Sequence, residues 1–339
     1  MVDVFKKQVA DAIESLARLD QIQVQEFTWP KAISLDWSQY KISIFHGSNE
    51  ITGFGTDPVG DTALIKAFME SIERSYLTLG NSSLKTSNGL AAHFSKNLAC
   101  SNALNEIIER DSFFCHFLTK TPFEYVSTLT FSSGVQTFLS ALKKENVILH
   151  VRSMRSSFIN RHCILIVAEK VEQQHRRGIT MATACADSIQ GAFDKALLEI
   201  AGPIFFKLQN PISDRNNKSI SIDEWGPEEH ASLLLNPDYW YWFKRQYLQT
   251  SENPIQNGID ISQNSEPHIT FDQFEYSPPF IPNFSAHLAI AKSNELQPLY
   301  FGSTSTSHLN LERLEKFFRL HHSLKSKKFE IELMEHPFP

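Results

Sequence analysis

Two stretches of the chain, offset by 36 residues, repeat one polar pattern within an apolar helical background. Both end in Glu-x-x-Glu-Arg, and their polar members are Lys66, Glu70, Glu73 and Arg74 in the first and Asn102, Glu106, Glu109 and Arg110 in the second. Because residues three and four apart share one face of an α-helix, this spacing predicts two helices, each with a stripe of carboxylates.

The stripes have two interpretations. Either helix alone is explained by a solvated face with an intrahelical ion pair, such as Lys66 with Glu70. The repetition favours a shared site instead, because bulky aromatic residues, Phe113, Phe114 and Phe117, follow directly after the second motif. Aromatic residues of this size are unusual next to a helix face that is only exposed to solvent.

Composition excludes several classes of protein. The chain has 339 residues, 42% of them hydrophobic, which is enough for a substantial core in one large domain or two ordinary ones. A net charge of -6 argues against a nucleic-acid binder. The apolar runs are too short to span a bilayer and there is no signal peptide, so we predict a cytoplasmic protein without a membrane partner. The four cysteines lack the close spacing of a zinc site and predict buried, reduced thiols.

Strand and helix patterns alternate along most of the chain. A first amphipathic helix is predicted near residues 2–19, then a strand in KISIFHG, three strands between residues 147 and 187, and a helix in SIQGAFDKALLEIAG. This order predicts an α/β (α+β) fold in which mixed sheets are covered by helices.

Two segments have less regular patterns. The stretch ITGFGTDPVGD contains Gly53, Gly55 and Gly60 and predicts a loop, although it has no phosphate-binding glycine motif. Residues 210–280 are rich in Pro, Asn and Ser around the aromatic run PDYWYWFKRQY. We interpret them as an inserted segment whose aromatic residues either pack on the body of the protein or line a peptide groove.

The paired motifs, the turn Ser87-Asn88-Gly89 before the second helix, and the terminal His336-Pro337-Phe338-Pro339 together resemble the YcaO family. The resemblance runs from about residue 51 to the end. It divides the chain into an N-terminal helix and strand segment, 1–50, and a YcaO-like domain, 51–339, that contains the insert. It implies an ATP-binding fold and an enzyme that uses ATP and Mg²⁺ to modify backbone amides of ribosomally made peptides.

The resemblance also implies roles for individual residues. Four carboxylates match the family's magnesium ligands: Glu70, Glu73, Glu106 and Glu109. The remaining matches to the ATP site are Lys66, Arg74, Ser87, Asn88, Asn102, Arg110 and Glu199. Arginine offers a planar fork of donors that suits phosphate. Magnesium prefers carboxylate and phosphate oxygens.

The tail carries a second implied role. Azoline-forming relatives end in Pro-x-Pro-x-Pro, which reaches the active site, and Glu335 stands here in place of the first proline. The resemblance thus assigns catalytic positions to His336, Pro337 and Pro339, with His336 as an acid or base near neutral pH.

Four further positions depart from the family pattern. Phe94 replaces an amide, Leu98 replaces a carboxylate, and Gly202 stands where a glutamine is frequent. Lys66 stands where a serine is common, and either contacts a phosphate or fills the space of a missing cation.

The preferred function is therefore cyclodehydration of Cys, Ser or Thr to azolines, the precursors of thiazoles and oxazoles. Its implied partners are a precursor peptide and a leader-binding, E1-like (ThiF-like) protein, and a homodimer is the default assembly. Thioamide formation, with a TfuA-like partner, is one alternative. A non-catalytic scaffold that binds a peptide is the other.

Overall fold

The computed structural model describes residues 2–28, 37–79, 87–126, 128–172, 176–209, 221–249, 266–321 and 328–338. These residues form helices and small sheets, as the sequence predicted. The helices are α1 (Val2–Ala17), α2 (Gly60–Leu79), α3 (Lys96–Leu118), α4 (Ser133–Lys144), α5 (Ile189–Gln209), α6 (Pro227–Ser232), α7 (Pro237–Phe243) and α8 (Leu311–His321).

Ten strands complete the regular structure: β1 (Ile22–Phe27), β2 (Ser38–His46), β3 (Asn49–Asp57), β4 (Leu90–His93), β5 (Glu124–Tyr125), β6 (Val147–Met154), β7 (His162–Val171), β8 (Arg176–Ala186), β9 (Thr270–Tyr276) and β10 (Ala286–Lys292). They form three sheets of order β1-β2-β3, β4-β10-β9 and β5-β6-β7-β8. The predicted fold class is confirmed. Every described strand pair is antiparallel rather than mixed, because hairpins and returning segments join the neighbours.

The chain divides into two compact units, Met1–Glu106 with Ile269–Lys292, and Ile107–His268 with Ser293–Pro339. The boundary between them falls within α3. Residue 50, where the sequence predicts a domain boundary, is the second residue of β3. That domain assignment stays a prediction. Among the described residues, none of the helices combines the length and the hydropathy that a membrane span requires.

The first unit holds two of the sheets around an apolar core. Alternate residues of β2, including Ile42 and Ile44, are buried against Phe68 and Ile72 of α2. The apolar stripe of α1, which includes Val9 and Leu16, belongs to the same core. This burial is the main stabilising term, at roughly 25 cal/mol per Å² of apolar surface.

The predicted glycine loop is wrong, because ITGFGTD forms most of β3. Its glycines serve close packing: a Cβ on Gly53 would lie 2.1 Å from Ala67 O, and a Cβ on Gly55 would lie 2.1 Å from Ala63 O. Without side chains at these two positions, the backbone of α2 rests directly on the strand. A glycine inside a strand is one sign of such a close approach by another backbone.

The second unit is built on β7, whose residues from Cys163 to Ala168 are all fully buried. Helix α5 packs on β7 and β8, and α7 packs on β8. Part of the predicted insert, including 210–220 and 250–265, lies outside the described residues. Within the described part, the aromatic run packs onto the body, since Trp240, Phe243 and Tyr247 are each at most 1% exposed. The four cysteines are free, as predicted, and three of them are buried, whereas Cys100 is half-buried.

A buried ion pair joins α3 and α8 within the second unit. The carboxylate of Asp111 in α3 accepts from Nε and Nη2 of Arg313 in α8, at 2.9 and 2.6 Å. It also accepts from the backbone N–H of Gln297 at 2.9 Å and from the hydroxyl of Ser157 at 3.1 Å. Asp111 is fully buried and Arg313 is 8% exposed. Sequence analysis assigned no role to Asp111.

Gly55→Ala should destabilise the protein by about 1–3 kcal/mol, because the new methyl group can fit only if α2 moves away from β3. Urea unfolding monitored by circular dichroism measures the change. The matched control is Gly226→Ala, whose Cβ would make an ordinary 3.5 Å contact with Glu229 Oε2. Equal stability of the two variants would contradict the packing account.

Arg313→Met should lower the free energy of unfolding by about 3–5 kcal/mol, because Asp111 would be left as a buried carboxylate without its cation. The control is Lys316→Met on the same helix, where the side chain is exposed and the change should stay within about 0.5 kcal/mol. The same urea titration measures both, and a change of under about 1 kcal/mol for Arg313→Met would show that the pair is dispensable.

Candidate functional site

Three polar side chains of α2 satisfy the free edge of β3. Among the described residues β3 pairs only with β2, so alternate residues of β3 point their backbone groups away from the sheet. The three hydrogen bonds are Lys66 Nζ to Thr56 O (3.4 Å), Phe54 N to Glu70 Oε2 (2.6 Å) and Arg74 Nη1 to Thr52 O (2.8 Å). Side chains of the first predicted motif therefore make hydrogen bonds to β3 that the backbone of a neighbouring strand would otherwise make.

The spacing of the three side chains along α2 is close to the spacing of the backbone groups that they contact along β3. Four residues of helix rise by about 6 Å, and two residues of strand span about 6.7 Å, so long side chains absorb the difference. The predicted ion pair between Lys66 and Glu70 does not form. Lys66 Nζ lies 2.8 Å from Asp57 Oδ2, and Glu70 instead accepts from Arg74 Nη2 at 2.6 Å.

Glu73 faces a second sheet. Its Oε1 accepts from the backbone N–H of Ala92 in β4 at 2.6 Å. Burial is the main cause that raises the pKa of Glu73 well above its usual 4.5, and the nearby carboxylates Glu106 and Glu70 raise it further. Burial likewise raises the pKa of Glu70, against the opposing effect of Arg74. The structure thus brings together Glu70, Glu73 and Glu106 of the predicted carboxylates.

The turn before α3 has the predicted form. Leu90 N donates to Ser87 O at 2.9 Å, and Gly89 has a φ of +74°, a conformation that favours glycine. Asn88 is half-buried, and Gly89 O accepts from Ala291 N of β10 at 2.8 Å. This turn anchors β4 immediately before the second motif.

The departures in α3 and before it have different structural reasons. Phe94 stacks on Phe5 of α1, with ring centroids 4.7 Å apart and planes 8° from parallel, so it extends the core. Leu98 is 49% exposed in the first turn of α3, where an apolar side chain cannot act as a metal ligand. Asn102, one turn further, is exposed.

The second unit carries the rest of the motif on α3. Glu109 accepts a short hydrogen bond from the hydroxyl of Thr183 in β8. Burial raises the pKa of Glu109, while Arg110, Thr183 and Lys195 lower it. Glu199 lies exposed on α5. Sequence analysis missed Thr183 and Lys195, because neither belongs to a local motif.

The terminal tail lies against Arg110. The guanidinium carbon of Arg110 is 4.8 Å from the centroid of the Phe338 ring, which also contacts the rings of Phe113 and Phe114. His336 is fully buried, and its pKa is well below 6.5 because burial penalises its charged form. The ring is therefore neutral at pH 7. Pro337 is buried as well, and Pro339 lies outside the described residues.

The donor set suits a hard cation. Glu73 and Glu106 supply carboxylate oxygens whose mutual repulsion a divalent ion would relieve. Within the described ranges, no three His, Cys, Asp or Glu side chains are grouped closely enough to hold a metal by themselves. Magnesium needs fewer protein ligands, since water and phosphates complete its shell. The metal and nucleotide assignments of individual residues stay predictions.

Residues 76–240 match the family model described as "YcaO cyclodehydratase", ATP- and Mg²⁺-binding. The structure of YcaO from Methanopyrus kandleri bound with AMPPCP and Mg²⁺ is similar, with a TM-score of 0.59 and 13% identity over 88% of this chain and 91% of that one. The predicted family resemblance is confirmed.

Two further solved structures are similar. The E. coli microcin synthetase McbBCD complex has a TM-score of 0.54 and 13% identity over 81% of this chain and 88% of that one. A heterocyclase in complex with substrate and cofactor has a TM-score of 0.64 and 12% identity over 98% of this chain but 57% of its own. No curated protein matches by sequence. At these identities the structures establish the fold alone.

Glu73→Gln should make the protein more stable than the wild type at pH 8 and equally stable near pH 4.5. Between pH 4.5 and the raised pKa of Glu73, the folded state binds more protons than the unfolded state, so stability falls as the pH rises. Glutamine keeps the acceptor for Ala92 N without the charge. Urea unfolding from pH 4.5 to 8 in EDTA measures the difference.

The control for that titration is Glu14→Gln on α1, whose carboxylate is 64% exposed and should contribute little at any pH. A Glu73→Gln variant less stable than the wild type at pH 8 would show that its carboxylate is stabilised rather than strained.

Proposed function

We propose that the chain is a member of the YcaO family, whose model matches residues 76–240, and that it is an ATP- and Mg²⁺-dependent enzyme that modifies backbone amides of a ribosomally made peptide. The proposed reaction is cyclodehydration of Cys, Ser or Thr to azolines. The observation that carries the proposal is the placement of the buried Glu73 close enough to Glu106 for that second carboxylate to raise its pKa further. Carboxyl groups with strongly raised pKa values are concentrated at functional sites, and a divalent cation would offset the repulsion between these two.

Magnesium would be held by Glu73 and Glu106, with Glu70 next to them on α2. Glu109 lies one turn further along α3 and is the next candidate ligand. When bound, ATP supplies the phosphoryl group that turns the amide oxygen into a leaving group. The protein's own contribution is to place the peptide and the phosphates and to balance their charge.

The phosphates would be contacted by the cations of the two motifs. Arg74 and Arg110 carry guanidinium forks that match phosphate oxygens, and Lys66 carries a point charge. In the structure Arg74 and Lys66 hold the edge of β3 through Thr52 O and Thr56 O. We infer that nucleotide binding draws one or both of these side chains from the edge.

The tail supports the azoline assignment by its position. Phe338 lies under the guanidinium of Arg110, next to the second motif on α3. Because His336 is neutral and enclosed, its proposed acid–base role requires that the tail loosen or that a charged ligand raise the pKa of the ring. Pro337 limits the conformations of the tail.

The proposed partners are a precursor peptide and a separate E1-like protein that binds its leader. One similar structure is a complex of microcin synthetase subunits, and another holds substrate and cofactor. Thioamide formation with a TfuA-like partner uses the same ATP site. The two chemistries are separated by mass spectrometry of the product, since cyclodehydration removes one water per site and thioamidation exchanges oxygen for sulfur.

A second candidate is a non-catalytic scaffold of the same fold. Leu98 favours it, since its exposed apolar side chain stands where the family has a carboxylate. The involvement of Glu70 and Arg74 in the edge of β3 points the same way.

Glu106→Gln should weaken binding of Mg²⁺ with a non-hydrolysable ATP analogue by about tenfold or more, which corresponds to about 1.4 kcal/mol. The reason is the loss of one carboxylate from the proposed magnesium site. Isothermal titration calorimetry measures the affinity, and Glu14→Gln on α1 is the matched control. If the wild type binds as weakly as Glu106→Gln, the scaffold candidate replaces the enzyme.

A further inference from the structure

Two successive carbonyls of the tail are held by side chains from the aromatic segment. Nδ1 of His230 in α6 donates to His336 O at 2.7 Å. The hydroxyl of Tyr239 in α7 donates to Glu335 O at 2.6 Å. The two bonds fix consecutive peptide planes, which determines the direction in which the following Pro337 and Phe338 leave.

The histidine contact has a defined tautomer. Gly302 N donates to Nε2 of His230 at 3.0 Å, so that nitrogen accepts and Nδ1 carries the proton given to the tail. The rings of His230 and His336 stack with centroids 4.1 Å apart and planes 16° from parallel. His336 Nε2 in turn lies 2.9 Å from Tyr300 O, to which it donates. Both rings are fully buried.

The holding segment is itself tied to the sheet. Trp240 Nε1 and Lys244 Nζ both donate to the carboxylate of Glu169 in β7, at 3.1 Å and at 2.8–2.9 Å. Burial alone would raise the pKa of Glu169, but hydrogen bonds from His150, Lys244 and Trp240 outweigh it and lower the pKa to about 2. The carboxylate stays charged, so α7 is anchored on a rigid strand.

We propose that residues 227–248 form a clamp that positions the C-terminal tail against Arg110, with His230 and Tyr239 as its positioning residues. The tail leaves the clamp at His336 and reaches the guanidinium two residues later. The consequence for catalysis rests on the function proposed above, whereas the clamping itself does not.

Hydrogen exchange tests the clamp without any activity. In His230→Ala and Tyr239→Phe, the amides of a peptic peptide covering residues 328–339 should exchange at least tenfold faster than in the wild type. His230→Asn is the matched control, because its amide nitrogen reproduces Nδ1, and its tail should stay protected. A peptide from β7 should not change in any variant. Unchanged exchange of the tail in both Tyr239→Phe and His230→Ala overturns the proposal.

Tyr239→Phe is expected to fold like the wild type, because it removes only one hydroxyl group. If His230→Ala does not fold, the comparison of Tyr239→Phe with the wild type decides the matter. Faster exchange confined to the tail supports the clamp, and faster exchange in β7 as well shows a general loosening that contradicts it.

Activity supplies a second, separable test. With precursor and partner, His230→Ala should lower kcat about tenfold, with His230→Asn close to the wild type. In a chain truncated after His336, His230→Ala should cause no further loss, because the residue acts only through the segment removed. An additive loss overturns the positioning role. If the wild type itself is inactive while the exchange results hold, the proposed function fails and the clamp stands.

Discussion

The buried pair of Asp111 and Arg313 is the interaction on which the second unit depends. A charged pair removed from water is stable only when its remaining donors and acceptors are satisfied, and here the backbone of Gln297 and the hydroxyl of Ser157 complete the carboxylate. Three separate segments of chain, which carry Ser157, Gln297 and Arg313, therefore converge on one side chain of α3. The same helix presents Glu109 and Arg110 directly before Asp111, so the residue that organises the fold also fixes the rotation of the helix that carries the motif.

Helix α2 combines support and site in another way. Its polar residues satisfy backbone groups of two strands, β3 through Glu70 and β4 through Glu73, yet burial raises the pKa of both carboxylates. The two carboxylates support the strands and still have raised pKa values, because their hydrogen bonds only partly offset the loss of hydration on burial. Glu70 and Glu73 therefore have two roles. They hold the backbone of neighbouring strands, and their carboxylates are placed where the proposed magnesium site needs them.

Local sequence patterns predicted most helices and strands, including the two motif helices, and the turn at Gly89. They succeeded there because the spacing of apolar residues within a short segment depends on whether that segment is a helix or a strand. They failed at β3, where Gly53 and Gly55 serve contact with α2 and look like loop residues. They also failed for Lys66, whose partner is Asp57 across a turn rather than Glu70 on its own helix. Asp111, Thr183 and His230 escaped notice because their partners are distant in sequence. The tail was identified by family resemblance, but its support by α6 and α7 exists only in three dimensions.

The side-chain cover of β3 has a consequence for association between molecules. A strand at the margin of a sheet is a template on which another extended chain can add, and proteins usually protect it with charge, a bulge or a covering element. Here the protection is reversible, since Lys66, Glu70 and Arg74 are flexible side chains rather than backbone. Whenever a stronger partner occupies them, Thr52, Phe54 and Thr56 lose these side-chain contacts, and the margin of β3 is then the kind of open edge to which an extended polypeptide can add.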